Sequence, residues 1–180
     1  MSAARQVLCL TGSLRRVSSN TSALLALREL APADAELTLY EGLGKLPLFN
    51  PDDEERNVPD AVLDLRNAIG RSDALLIACP EYAHGVPGAF KNLLDWLVGS
   101  LEFPGKPVLV LNASARGSHH AQDALCEILR TMSAKLLSPE PLGVALPGAG
   151  CTVGQVLASP GRCLELHTVL ACLTAGLDGA

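Results

Sequence analysis

The fold can be predicted from VLCLTGSLRRVSSN, residues 7–20. Residues 7–10 form a continuous apolar run, which is typical of a strand buried on both faces of a sheet. Gly12 ends that run, and the polar residues after it lead into an amphipathic stretch from Asn20 to Leu30. The sequence here therefore predicts a strand that turns directly into a helix.

The turn between this strand and this helix carries the chemical groups of a phosphate site. Ser13, Ser18 and Ser19 offer hydroxyls, Arg15 and Arg16 offer positive charge, and the start of the helix offers unpaired backbone N–H groups. Ser and Asn are also favoured as ordinary helix caps when no ligand is present. Taken alone, the stretch leaves open both a phosphate site and a plain helix cap.

The composition limits the kind of protein. With 180 residues the chain suits one α/β domain that spans residues 1–180. Its net charge is −5 and no window concentrates Lys and Arg beyond Arg15 and Arg16, so a surface for nucleic acid is not expected. The six cysteines are scattered and no His or Cys cluster has zinc-site spacing, so we expect free thiols and no metal site.

The apolar stretches of the chain are short. None forms a signal-peptide core, and none approaches the roughly 20 apolar residues that a membrane-spanning helix needs. We therefore expect a cytoplasmic protein that does not bind a membrane.

The remaining chain alternates short apolar runs with longer amphipathic ones. Strands are expected at residues 36–40, 74–79 and 108–111, with weaker signals at 136–137 and 142–146. Helices are expected at residues 20–30, 59–69 (before Gly70), 89–98, 121–134 and 161–175, with irregular connections at 41–57 and 147–160. This order predicts an α/β fold, a doubly wound five-stranded parallel sheet with helices on both faces.

Polar loops that contain glycine follow three of these strands, at residues 12–20, 80–88 and 112–120. In a doubly wound fold, ligands bind at the carboxyl ends of the strands, where the strand order reverses. The three loops would meet at that edge of the sheet. We therefore expect one composite site built from all three.

A family resemblance rests on two blocks, TGSLRRVSSN at residues 11–20 and CPEYAHGVPGAFKNLLDW at residues 79–96. Together they resemble the NADPH-dependent FMN reductase family of flavodoxin-like proteins, and the resemblance extends to about Met132. It implies a flavodoxin-like fold, FMN as cofactor, and NADPH or NADH as the donor of a hydride to flavin N5. A quinone, a free flavin or another small acceptor would then take the electrons. The resemblance also implies a homodimer, and it requires no catalytic acid or base among the side chains.

The same resemblance assigns cofactor-binding positions. The positions that bind the FMN phosphate are matched by Ser13, Arg15, Ser18 and Asn20. The loop that lies along the isoalloxazine ring, largely through its backbone, is matched by Pro80, Glu81, Tyr82, Ala83 and Gly85. A third loop beside the flavin is matched by Ser114 and Gly117. A phosphate on a helix N-terminus and a backbone close to a flat ring are both physically reasonable.

The chain departs from the family pattern in two places. Ala83 stands where the family usually has Asn, and Gly85 where Ser is common, so two polar contacts to the ring are absent. Residues 147–154 are rich in Gly and Pro, where the family more often has an acidic loop. These departures leave open a flavodoxin-fold protein that has lost catalysis. A free electron carrier is less favoured, because the chain has few aromatic residues to flank the ring.

A different class of enzyme is the other alternative. Cys9 and Arg15 have the Cys-x-x-x-x-x-Arg spacing of the phosphate loop in low-molecular-weight tyrosine phosphatases. In that interpretation Cys9 is the nucleophile and Arg15 holds the phosphoryl group. The later half of the chain has no match to the Asp-Pro loop that supplies the general acid in that family.

Some residues of the two blocks also have plainer interpretations. Trp96 and Tyr82 fit core or subunit-interface aromatics, and for Trp96 this is the preferred interpretation. His84 fits an exposed loop residue, and Glu81 is expected to act through its backbone. Cys79 lies on a predicted buried strand, where a thiol behaves as a small apolar group.

Overall fold

A computed structural model describes residues 4–114 and 117–179. Its centre is a parallel sheet with the strand order β2-β1-β3-β4-β5. The strands are β1 Arg5–Thr11, β2 Ala35–Leu39, β3 Ala74–Ala78, β4 Pro107–Asn112, β5 Lys135–Leu136 and β6 Leu142–Gly143. Both β5 and β6 pair in parallel with β4, at its two ends. They share the fifth position of the sheet, so the expected five-stranded parallel arrangement is confirmed, with its last strand interrupted at residues 137–141.

Helices cover both faces of this sheet. They are α1 Ser19–Leu30, α2 Pro51–Arg56, α3 Asp60–Arg71, α4 Gly88–Val98, α5 His119–Thr131, α6 Val153–Leu157 and α7 Pro160–Asp178, with a 3₁₀ turn at Leu43–Lys45. Within the described ranges, no helix combines the length and the apolar character needed to cross a membrane.

The alternation of side chains along the strands divides the core in two. Val7 and Cys9 of β1 pack in one cluster with α1, α6 and α7. Leu8 and Leu10 point to the other face and pack with α3, α4 and α5. Every residue of β3 is buried. The central strands have continuous apolar sequences because both of their faces are buried.

Two connections that were expected to be irregular contain short helices. In the segment 41–57, α2 begins where the Asn50 side chain accepts a hydrogen bond from the Asp52 N–H (3.1 Å) and Pro51 takes the first helical position. In the segment 147–160, α6 begins at a capping box formed by Thr152 and Gln155. No residue of α2 is buried, so it has no apolar periodicity to detect.

Two helix ends also differ from expectation. Gly70 does not stop α3, which continues to Arg71. Helix α5 ends at Thr131 rather than at residue 134, because Ser133 adopts a left-handed conformation with φ 64°.

The strand order reverses between β1 and β3. Strand β1 pairs with β2 on one side and with β3 on the other, and both pairings are parallel. This is the flavodoxin-like order, in which the crevice at the carboxyl ends of the two central strands receives the ligand. The expected fold class is therefore confirmed, and it fixes where a site should be sought.

Candidate functional site

A cavity of about 520 Å³ lies at the carboxyl ends of β1, β3 and β4. Its lining is Ser13, Arg15, Ser18, Ser19, Asn20, Pro80, Glu81, Tyr82, Ala113, Ser114, Ser118, Pro147, Gly148, Ala149 and Gly150. The volume falls within the range of small-molecule sites, about 300–1,000 Å³. The three loops expected to form a composite site do meet here.

Most of the residues assigned from the sequence line this cavity. They are Ser13, Arg15, Ser18, Asn20, Pro80, Glu81, Tyr82 and Ser114. Ala83, Gly85 and Gly117 are not among the lining residues. The structure adds a fourth wall, residues 147–150, which the sequence did not assign to the site.

The start of α1 supplies backbone donors at one end of the cavity. The Ser18 side chain accepts a long hydrogen bond from the Thr21 N–H (3.5 Å), and the Ser18 carbonyl accepts one from the Ser22 N–H (2.8 Å). In the part of the chain that the structure describes, the N–H groups of Ser19 and Asn20 have no acceptor. Ser18 is thus a helix cap, and the cap leaves two donors for a ligand.

Side-chain donors lie beside these amides. The Arg15 guanidinium forms no ion pair with any described residue. Asn20 is only 9% exposed, lines the cavity and makes no side-chain hydrogen bond within the described ranges. Ser13 is buried, and its hydroxyl accepts the Arg15 N–H at 3.2 Å. Hydroxyl, amide and guanidinium donors at one end of a cavity are the set that binds a phosphate.

Gly12 allows the first two loops to approach each other. A Cβ at this position would lie 2.6 Å from the Cys79 Sγ and 3.1 Å from both the Cys79 Cα and the Pro80 Cδ. The Gly12 N–H also donates to the Ala78 carbonyl at 2.9 Å. Only a residue without a side chain fits between the two strand ends.

The loop after β3 makes a tight turn at the cavity edge. Tyr82 and Gly85 exchange two backbone hydrogen bonds, of 3.1 and 3.0 Å. Between them, Ala83 and His84 both have positive φ, 50° and 59°. These values are typical of a type I′ turn. His84 is exposed, as expected, and its ring stacks on that of His120 with centroids 4.3 Å apart.

Glu81 joins this loop to the third one. Its Oε2 accepts a hydrogen bond from the Ala121 N–H, in the first turn of α5, at 3.0 Å. The helix has no side-chain cap of its own, because Ser118 at the N-cap position has φ 45° and makes no capping bond. Glu81 was expected to act through its backbone, but its carboxylate caps α5 from a distant loop.

The Lys-Asn-x-x-Asp-Trp part of the second block has a structural role. Trp96 is fully buried, its Nε1 donates to the Pro47 carbonyl at 2.8 Å, and its ring meets Phe49 edge to face. Asn92 donates to the same carbonyl and accepts the Phe49 N–H. These contacts fix the segment before α2 onto α4 and confirm Trp96 as a core residue.

The environment of Cys9 argues against the phosphatase alternative. Cys9 is 2% exposed, lies in the core on the α1 side of the sheet and does not line the cavity. Burial raises the pKa of its thiol to about 12. A phosphatase nucleophile must be a thiolate that faces the substrate beside Arg15. Cys79 is similar, because burial raises its thiol pKa to about 12 as well.

The strand order and the phosphate-type donors at the β1/β3 reversal define an α/β protein of the flavodoxin-like class. The family description of NADPH-dependent FMN reductase matches residues 5–145. The chain belongs to this family, and it is an FMN-dependent NAD(P)H oxidoreductase. The resemblance expected from the two sequence blocks is confirmed, and FMN with NADPH or NADH as co-substrate follows from it.

Known proteins place the chain within the family. A quinone reductase of Escherichia coli K12 is 36% identical over 149 residues, which cover 79% of each chain. An NAD(P)H-dependent FMN reductase of Pseudomonas aeruginosa is 38% identical over 128 residues, 67% of this chain and 69% of that protein. Among solved structures, the flavoenzyme NAD(P)H:(acceptor) oxidoreductase FerB of Paracoccus denitrificans has 28% identity and a TM-score of 0.74, over 97% of this chain and 96% of that one.

Proposed function

We propose that this enzyme reduces quinones with electrons from NAD(P)H and holds FMN in the cavity at the β1/β3 reversal. The observation that carries the proposal is that the Arg15 guanidinium and the Ser19 and Asn20 amides, none of which has a partner among the described residues, all belong to residues that line this cavity. A quinone as acceptor is supported by the relatives of Escherichia coli and Pseudomonas putida, which are named quinone reductases.

Each loop has a separate task in this proposal. The phosphate is bound by Ser13, Arg15, Ser18 and Asn20 at the N-terminus of α1. The backbone of residues 80–85 would hold the ring, together with Ser114 and Gly117 of the third loop. FMN held there would supply the redox chemistry, which is hydride uptake from NAD(P)H and transfer of electrons to the acceptor. The protein orients the cofactor, and no side chain needs to transfer a proton, because the proton that quinone reduction consumes beside the hydride comes from solvent.

Ala83 and Gly85 do not weaken this proposal. Neither residue is part of the cavity lining, and both shape a turn whose Tyr82–Gly85 pairing is made by the backbone. A ring held by backbone atoms does not need the Asn and Ser side chains that these positions lack. This loop therefore gives no further support to the alternative of a flavodoxin-fold protein that has lost catalysis.

The test compares Arg15→Ala with Arg16→Ala. Arg16 is the next residue and is exposed, but it does not line the cavity. FMN affinity, measured by flavin fluorescence titration, should fall about tenfold or more in Arg15→Ala, since a charge-assisted hydrogen bond contributes roughly 1.5–3 kcal/mol. Arg16→Ala should bind FMN like the wild type. An equal response of the two variants would show that the phosphate end is misassigned.

The acceptor is tested on the same FMN-loaded protein. NADPH oxidation, followed by the loss of its absorbance, should be faster with a benzoquinone than with oxygen alone. No acceleration by any quinone would remove quinones as the acceptor class and leave the FMN site in place.

The proposal also covers the oligomeric state of the protein and its location in the cell. We propose one domain over residues 1–180 that forms a homodimer, which is supported by the family resemblance and by exposed apolar side chains at Leu48 (85%), Val98 (67%) and Leu101 (92%). Light scattering of the purified protein distinguishes a dimer from a monomer. A cytoplasmic location is supported by the cysteines, which are all free.

A further inference from the structure

The fourth wall of the cavity, residues 147–150, lies just beyond the segment that matches the family, which ends at residue 145. Both of its ends are anchored in the core. Leu146 on one side is fully buried and Cys151 on the other is 5% exposed. The residues between them are largely exposed and line the cavity. The segment is therefore an arch with fixed ends.

Ser19 holds this arch against the start of α1. The Ser19 hydroxyl donates a hydrogen bond to the Gly148 carbonyl and accepts one from the Cys151 N–H at 3.4 Å. Ser19 is 7% exposed, so water competes little for these bonds. One side chain thus fixes both ends of the arch beside the proposed phosphate position.

The arch carries backbone donors that have no partner. Within the described ranges, the N–H groups of Gly148, Ala149 and Gly150 make no hydrogen bond. Gly148 and Gly150 have positive φ, 136° and 89°, whereas Ala149 between them does not. Glycine adopts positive φ more readily than residues with a side chain. Successive free amides in such a loop form a concavity that binds anions.

Two further groups point to an anion at this place. A Cβ built on Gly150 would lie 3.7 Å from the Arg15 Nη2, so the arch runs beside this guanidinium, which forms no ion pair with a described residue. The Asn20 side chain, 9% exposed and without a partner among the described residues, lines the same end of the cavity. A cation, a buried amide and free backbone donors therefore meet here.

We infer that the arch of residues 147–150, held by Ser19, is a fourth loop of the substrate and cofactor site and binds a phosphate group through its backbone amides. The inference rests on the proposed function, because it adds donors to the same end of the cavity. The phosphate belongs either to the flavin or to the pyridine nucleotide, and both carry the same chemistry. Ser19 is a positioning residue, since it acts through the arch.

The test removes one amide and, separately, the hydroxyl that holds the arch. Ala149→Pro deletes an N–H at a position that is not among the positive-φ residues, and Ala149→Ser retains it. Ser19→Ala deletes the hydroxyl, and Ser19→Thr retains it. Dissociation constants are measured for FMN and for riboflavin, which lacks the phosphate, and KM for NADPH and NADH.

We expect FMN to bind about tenfold more weakly to Ala149→Pro than to Ala149→Ser. The same difference is expected between Ser19→Ala and Ser19→Thr. Riboflavin affinity should be equal within each pair. That result assigns the arch to the flavin phosphate. If FMN affinity is equal within each pair but KM for the pyridine nucleotides rises, the arch binds the phosphates of the pyridine nucleotide. Either pattern supports an anion-binding arch.

Two results would overturn the inference. One is an equal loss of FMN and riboflavin affinity, which would mean that the arch only supports the cavity wall. The other is no difference within either pair for any ligand. The Arg15→Ala variant distinguishes a wrong arch from a wrong phosphate site. If Arg15→Ala lowers FMN affinity more than riboflavin affinity while the arch variants do not, only the inference about the arch fails. If it does not, the phosphate end itself is wrong.

Discussion

Ala83 occupies a backbone conformation that suits other residues better. Its φ of 50° lies in the left-handed region, where a residue with a Cβ carries a cost of roughly 1–2 kcal/mol and Asn is better tolerated. Ala83→Asn, the residue usual in the family, should therefore raise the free energy of unfolding by about 0.5–1 kcal/mol. Chemical denaturation measures the change, and Ala83→Gly should shift it in the same direction. A loss of stability in both variants would contradict the turn conformation.

Cys9 makes the stability of the fold depend on pH in the alkaline range. Burial raises its thiol pKa from 9.0 to about 12. Above pH 9 the unfolded chain loses this proton while the folded protein keeps it, so the folded state binds more protons and stability falls as pH rises. The contribution of the neutral Cys9 thiol to the free energy of unfolding is complete below pH 9. It is lost progressively between pH 9 and about pH 12, at about 1.4 kcal/mol per pH unit.

The control for this effect is Cys9→Ala, which has no thiol to ionise. Its unfolding free energy should be lower at pH 7 because of the cavity left behind, but it should decline less between pH 9 and pH 11 than that of the wild type. Parallel curves would show that the Cys9 thiol does not titrate differently in the two states. Retained oxidoreductase activity in Cys9→Ala would also agree with the exclusion of a thiol nucleophile.

At the scale of elements, Gly12 sets the distance between β1 and β3. Gly12→Ala places a Cβ against backbone and side-chain atoms of residues 79 and 80, which cannot all move away. We expect a loss of about 1–3 kcal/mol in stability, together with weaker FMN binding, because two walls of the cavity shift. Gly88→Ala is the matched control, since a Cβ at that position would have no described residue within 4 Å beyond its chain neighbours and its own helix backbone. A stable Gly12→Ala protein with unchanged FMN affinity would contradict this account.

Glu81 couples the loop after β3 to α5. Glu81→Ala removes the acceptor of the Ala121 N–H in the first turn of α5 and should cost about 1–2 kcal/mol of stability. Glu81→Gln keeps an oxygen in the same place and should lose less, with the difference giving the contribution of the charge at the helix N-terminus. Thermal unfolding of the two variants measures both quantities. Equal effects would mean that the carboxylate is not the cap of α5.

The elements that could be predicted from sequence are those with long apolar patterns. The runs at 74–79 and 108–111 predicted β3 and β4 because both faces of those strands are buried. The helix α2 was missed because it buries nothing, and α6 because a five-residue helix depends on the local capping box at Thr152. Such helices are fixed by single hydrogen bonds, which a search for periodicity does not detect.

At the scale of the whole molecule, the cavity gathers segments that are far apart in the chain. Loops after β1, β3 and β4 could be placed together from sequence, since parallel strands end at one edge. The arch at 147–150 could not, because its position depends on the Ser19 contact and on α6 packing against α1. The chain has a net charge of −5, so binding of an anion depends on local donors such as Arg15 rather than on the overall field.

Since the ligand would contact segments from both halves of the chain, FMN should stabilise the entire fold. A ligand that binds only the folded state adds RT ln(1 + [L]/Kd), about 2.7 kcal/mol at a hundredfold excess over Kd. For a protein of this size that corresponds to a rise of roughly 5–10 °C in Tm. Thermal unfolding at increasing FMN should show this rise, and Arg15→Ala should need about tenfold more FMN to reach it. Because the ligand joins all the walls of the cavity, the transition should shift as one. A Tm that does not change with FMN, or a shift confined to part of the transition, would contradict a site that spans the molecule.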